Sequence, residues 1–128
     1  MLDHIGLGVA DFGRSRAFYE KALAPLGYRI VMEVTPEQSG GEAHAGFGDD
    51  RKPYFWIKTG APLSGRLHVA FIANDRTAVD AFYRVAIAAG GRDNGKPGLR
   101  PHYHPNYYAA FVLDPDGHNV EAVCHRPA

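Results

Sequence analysis

The chain has a single cysteine, Cys124, in 128 residues. No internal disulfide can form, and a lone thiol fits a reducing compartment. Neither charge is in surplus: Lys+Arg and Asp+Glu both number 14, and no long run of one sign occurs. A general binder of nucleic acid or of anionic membrane needs a basic excess, so neither partner is expected. No apolar stretch approaches the roughly 20 residues that cross a bilayer. Met1-Leu2-Asp3-His4 lacks the basic region and apolar run of a signal peptide, and a cytoplasmic location is expected. There is no G-x-x-x-x-G-K-[ST] loop, no G-x-S-x-G elbow and no paired C-x-x-C, which leaves nucleotide-dependent and serine-hydrolase chemistry without support. What is present is 45% hydrophobic residues, enough for the core of one ordinary domain, and seven histidines, a high number for this length.

A shift of 64 residues brings the two halves into register. His4 falls on His68, Asp11 on Asp75, and Ala17-Phe18-Tyr19 on Ala81-Phe82-Tyr83, with Gly27 on Gly91. A single domain of two pseudo-symmetric modules follows, about residues 1–64 and 65–128. Each half reads as strand, helix and three strands. In the first, alternation predicts a strand over 3–10, helical spacing predicts a helix over 12–24 capped by Asp11, and strands are expected near 28–35, 42–48 and 53–58. In the second, a strand is expected near 66–73 and a helix near 75–89, capped by Asn74 or Asp75. A weak strand near 91–93 and a Gly-, Pro- and His-rich loop to about Asn106 come next. Strands near 107–113 and 118–124 are joined by Asp114-Pro115-Asp116-Gly117, a strong turn signal.

Alternate strand residues share a face. His4, Gly6 and Gly8 lie on one side of the first strand, and His68, Ala70 and Ile72 on one side of the fifth. The opposite faces, Ile5-Leu7-Val9 and Val69-Phe71-Ala73, suit packing against helices. The last strand presents Asn119, Glu121 and Val123 together. One histidine on a strand is as readily a hydrogen-bonded structural residue, but a symmetric pair with a carboxylate makes a three-point site for a divalent first-row metal with open positions. His4, His68 and Glu121 are therefore the expected ligands. His102 and His104, in a Pro-bounded loop, are candidate acid/base residues or exposed rings. Of Tyr107 and Tyr108, parity sends one to the cleft. Trp56 is either an apolar wall or core. His118 and His125 are expected in solvent and Tyr19 at a helix rim, while Cys124 has opposite parity to Glu121.

With these features the chain resembles the vicinal oxygen chelate superfamily, which includes glyoxalase I, bleomycin-resistance proteins and extradiol dioxygenases. The carriers are Asp3-His4-Ile5, Phe18-Tyr19, Leu67-His68-Val69, and Tyr107-Tyr108-Ala109-Ala110-Phe111 running to Asp114-Pro115-Asp116-Gly117-His118-Asn119-Val120-Glu121. The resemblance covers nearly the whole chain. It implies an α+β fold of two tandem βαβββ modules, a curved mixed sheet with helices on the outside. It implies Fe, Mn, Ni or Zn on His4, His68 and Glu121, a small-molecule substrate with vicinal oxygens, and a homodimer. A fourth ligand, Glu or Gln in glyoxalase I and in methylmalonyl-CoA epimerase, falls here on Trp56 or Ile57, neither able to bind metal or move a proton. That counts against a glyoxalase and leans toward an oxygenase-type site, for which His102, His104, Tyr107 and Tyr108 are the candidate catalytic residues. The rival expectation is a non-catalytic antibiotic-binding protein of the bleomycin-resistance type.

Overall fold

The computed structural model describes residues 1–61 and 64–128. The first module runs β1 (Ile5–Val9), α1 (Phe12–Leu23), β2 (Arg29–Val34), a one-turn α2 (Pro36–Ser39), β3 (His44–Gly48) and β4 (Pro53–Thr59). The second runs β5 (His68–Ile72), α3 (Arg76–Ala88), β6 (Arg92–Leu99), β7 (Tyr108–Leu113) and β8 (Asn119–Cys124). The sheets have orders β1-β4-β3-β2 and β5-β8-β7-β6. In each, the first strand pairs parallel with the last and the remaining pairs are antiparallel. This is the α+β architecture of two tandem βαβββ modules, as two four-stranded sheets.

Both helices start as their residues require. The Asp11 side chain accepts from Arg14 N at 3.0 Å, and the Asp75 side chain from Ala78 N at 2.8 Å. Each carboxylate satisfies an N–H that has no partner inside its helix. The α2 turn, which alternation alone does not reveal, rests on a capping box between Thr35 and Gln38. The sixth strand is longer than its residues suggest. Pro97 and two glycines read as loop, yet β6 is an edge strand with two register shifts, and an edge tolerates a missing N–H. Gly95 sits in the first of those shifts at φ +152°, a conformation a side chain would strain.

The helix-bearing faces of the two sheets turn toward each other. Phe18, Phe47, Phe55 and Ile57 from the first module share one buried cluster with Val79, Phe82, Ala110 and Val112 from the second. Phe55 meets Phe71 edge-on, ring centroids 5.3 Å apart. Burial of each such side chain stabilises by roughly 1.5–3 kcal/mol. Parity then sends the histidine-bearing face of each sheet outward, toward solvent.

Two expectations about burial are corrected. Tyr19 is 1% exposed, not at a rim: its hydroxyl donates to Asp114 Oδ2 at 2.5 Å, across the modules. His118 is 2% exposed, not in solvent: its Nδ1 accepts from Leu67 N at 3.0 Å and so holds the entry to β5. Both follow from the Asp114–Gly117 turn, which folds in against α1 where a hydrophilic turn would ordinarily face water. Among the described residues no helix is long and apolar enough to cross a membrane.

Candidate functional site

Each outward sheet face carries a hollow. The second module's, about 410 Å³, is lined by His68, Tyr103, Tyr107, Phe111 and Glu121. Register explains the grouping. Glu121 pairs with Ala70 on one side and Phe111 on the other, so cleft-facing residues of β5, β8 and β7 lie side by side. His68 Nε2 lies 2.8 Å from Glu121 Oε1, and the Tyr107 hydroxyl donates to Glu121 Oε2. Glu121 is only 1% exposed. Burial first, then the Glu121 carboxylate, pushes the Tyr107 hydroxyl far above the usual tyrosine range, so Tyr107 holds its proton at all ordinary pH.

The first module's hollow, about 420 Å³, includes His4, Gly6, His44, Trp56 and Lys58. His4 precedes β1 and is held by Asp3, whose Oδ1 lies 2.8 Å from His4 Nδ1. The same carboxylate pairs with Lys52. Lys52 first, then His4, holds the Asp3 carboxyl below its ordinary range. A proton on Nδ1 shared with Asp3 leaves Nε2 free as an acceptor.

The structure thus brings His68 and Glu121 together and places His4 in the other hollow. Among the described residues, no three His, Cys, Asp or Glu side chains stand together as a metal site. Parity is resolved at the tyrosine pair. Tyr107 faces the hollow, whereas the Tyr108 hydroxyl donates to Asp80 Oδ1 on α3 at 2.7 Å and so belongs to the helix side. His102 and His104 lie exposed in the 100–107 loop. The His102 ring is 4.2 Å from that of Tyr103, and the His104 ring is 5.7 Å from that of His125. Register also decides between Trp56 and Ile57. Gly6 pairs with Trp56 as Ala70 pairs with Glu121, and Gly6 and Ala70 are related by the 64-residue shift, so Trp56 stands where Glu121 stands in the other module. Sequence reasoning passed over Asp3, Tyr103 and Phe111. Only the carboxylate directly preceding His4 was a usable signal.

The donor chemistry fits a metal ion. Two ligands about 2.1 Å from one ion at adjacent positions lie about 3 Å apart, close to the His68–Glu121 separation. Glu121 is buried beside an imidazole and a phenol, with no lysine or arginine in ion-pair range among the described residues. A buried carboxylate without a cation is costly, and a bound cation removes that cost. One chain supplies two of the three donors to this hollow.

The family model described as Glyoxalase/Bleomycin resistance protein/Dioxygenase superfamily matches residues 1–122. No curated protein matches the chain. Among solved structures, a glyoxalase/bleomycin resistance protein from Albidiferax ferrireducens T118 is 29% identical with a TM-score of 0.70, covering 99% of both chains. Glyoxalase I from Zea mays is 27% identical with a TM-score of 0.70 over 96% of this chain, which spans 45% of the maize chain. A glyoxylase/bleomycin resistance protein/dioxygenase domain from Frankia sp. EAN1pec, 16% identical with a TM-score of 0.72, shares the fold. By the match over nearly its whole length, the chain belongs to the glyoxalase/bleomycin resistance protein/dioxygenase superfamily.

Proposed function

We propose that the protein is a metal-dependent enzyme acting on a small substrate with two adjacent oxygens, its ion held by His68 and Glu121 of one chain and His4 of a second copy. The observation that carries this reading is the buried Glu121 carboxylate, 2.8 Å from His68 Nε2 and open to a hollow. The two outward hollows are complementary: one offers His68 and Glu121, the other His4. A two-fold homodimer that sets them face to face completes two equivalent sites.

A divalent first-row ion bound there would polarise the substrate oxygens and stabilise negative charge on them. The chain's own groups do the rest. Tyr107 fixes Glu121 through Oε2 and holds a proton beside the place the oxygens would take. Phe111 and Tyr103 wall the hollow and limit water. Trp56, in place of the mirror carboxylate, leaves that side without a proton acceptor, which favours oxygenase-type chemistry over proton transfer of the glyoxalase type. A second reading has its own support: His68, Glu121 and Tyr107 satisfy one another without an ion, as a binding protein requires.

Metal titration separates the two. Under anaerobic loading with Fe(II), Mn(II), Ni(II) or Zn(II), about one ion per chain is expected. No uptake of any of the four would end the enzymatic reading. In the same titration Asp3→Asn should weaken the ion by about tenfold, since Asp3 sets which nitrogen of His4 is free. A substitution that leaves affinity unchanged would show that His4 needs no such support.

A further inference from the structure

The first module has exchanged a carboxylate for an indole at a position the fold points into the cleft. Its neighbours have changed with it. In the second module β8 supplies a glutamate and β7, opposite it, the bulky Phe111. In the first module β4 supplies Trp56 and β3, opposite it, Gly46. A Cβ on Gly46 would come within 2.9 Å of Cη2 and Cζ2 of the indole and of Pro53 Cβ. That is closer than carbon atoms approach, so the glycine makes the space that lets the indole lie against the sheet. Gly6, on the other side, is likewise open, with only the Trp56 Cβ and backbone oxygen near its missing side chain. Trp56 is half-buried, seated on one side and facing the 420 Å³ hollow on the other. A tryptophan that served only as core would be on the Phe55 and Ile57 face of the same strand, which is fully buried.

We infer that Trp56 is a specificity-determining residue, and that the cleft's substrate carries its adjacent oxygens on a flat, conjugated ring that stacks on the indole. This rests on the metal-site reading for the oxygens, but the ring platform is a property of the first module alone. An aliphatic diol of the same size offers the indole only apolar contact. A conjugated ring adds the quadrupole and dispersion terms of an aromatic pair, worth about fivefold to tenfold in affinity.

Trp56 is the sole tryptophan, so indole fluorescence reports on this hollow and nothing else. The Zn(II)-loaded protein is titrated with catechol and with cis-1,2-cyclohexanediol, exciting at the red edge of the indole band. Calorimetry gives affinities for Trp56→Phe and Trp56→Leu. Saturable quenching by catechol is expected, with catechol preferred over the diol. Trp56→Phe should keep most of that preference, and Trp56→Leu should lose about fivefold to tenfold of it, while both variants take up Zn(II) as the parent does. Catechol is intrinsically the better chelator, so the comparison with Trp56→Leu is decisive: an undiminished preference there overturns the inference even with metal bound. If no metal is taken up, the metal-site reading fails by itself. The same titration of the metal-free protein then decides the platform, saturable quenching supporting it and its absence ending it.

Discussion

Mixing His4→Ala protein with His68→Ala protein is expected to restore metal sites that neither variant has alone. Each variant by itself should lose on the order of a hundredfold or more in metal affinity, because two remaining ligands hold a divalent ion far less tightly than three. If each site joins His4 of one chain to His68 and Glu121 of the other, a heterodimer of the two variants has one site missing both histidines. Its second site is intact. Random re-association makes half the dimers heterodimers, so about a quarter of the parental sites should return. Differently tagged chains, unfolded together, refolded and purified through both tags, should carry one ion per dimer. The placement of His4 and His68 in hollows that share no residue is the basis for this expectation. A mixture that stays as empty as its components would show that the ligands of one chain do not serve another, and the shared-site reading would fall.

The second large effect is on stability, where the modules join. The Asp114 carboxylate is 2% exposed and serves three donors: Oδ1 accepts from Asp116 N and His118 N at 2.9 Å each, and Oδ2 from the Tyr19 hydroxyl. Asp114→Ala leaves a buried phenol and two turn amides without partners and is expected to cost about 3–5 kcal/mol in urea unfolding, with Tyr19→Phe costing about 1–2 kcal/mol. The two should be markedly non-additive, because they break one network. The pH dependence follows from Tyr19. Burial first, and then the Asp114 charge, raises its hydroxyl well above the ordinary value. The folded protein therefore keeps this proton at pH values where the unfolded chain, titrating near pH 10, has released it. The stabilisation is fully present below about pH 10, and unfolding becomes easier above it by about 1.4 kcal/mol per pH unit for this one group. Tyr19→Phe should remove that share of the alkaline slope. An identical slope in the variant would show that Tyr19 ionises alike in both states.

Much of the architecture is local and therefore legible in residues. Period-two alternation in Ile5–Val9 and Val69–Ala73, the two aspartate caps, and the turn at Asp114–Gly117 each act over a few residues. The 64-residue repeat shows that one solution is used twice. The 92–99 strand was only partly legible, since bulges and Pro97 are disguised by composition as loop and its pairing is set by β7.

For the site, the residue types are what the sequence alone determined: two symmetric histidines on roomy strand faces and one glutamate among apolar neighbours. Tertiary structure decided how they are grouped. Which of two adjacent tyrosines meets Glu121, whether Trp56 or Ile57 mirrors it, and whether His118 and Tyr19 are wet or buried all depend on registers between strands far apart in the chain. So does the separation of His4 from His68. Alternation says which side of a strand a residue takes, but only the packing of one module on the other says what that side faces.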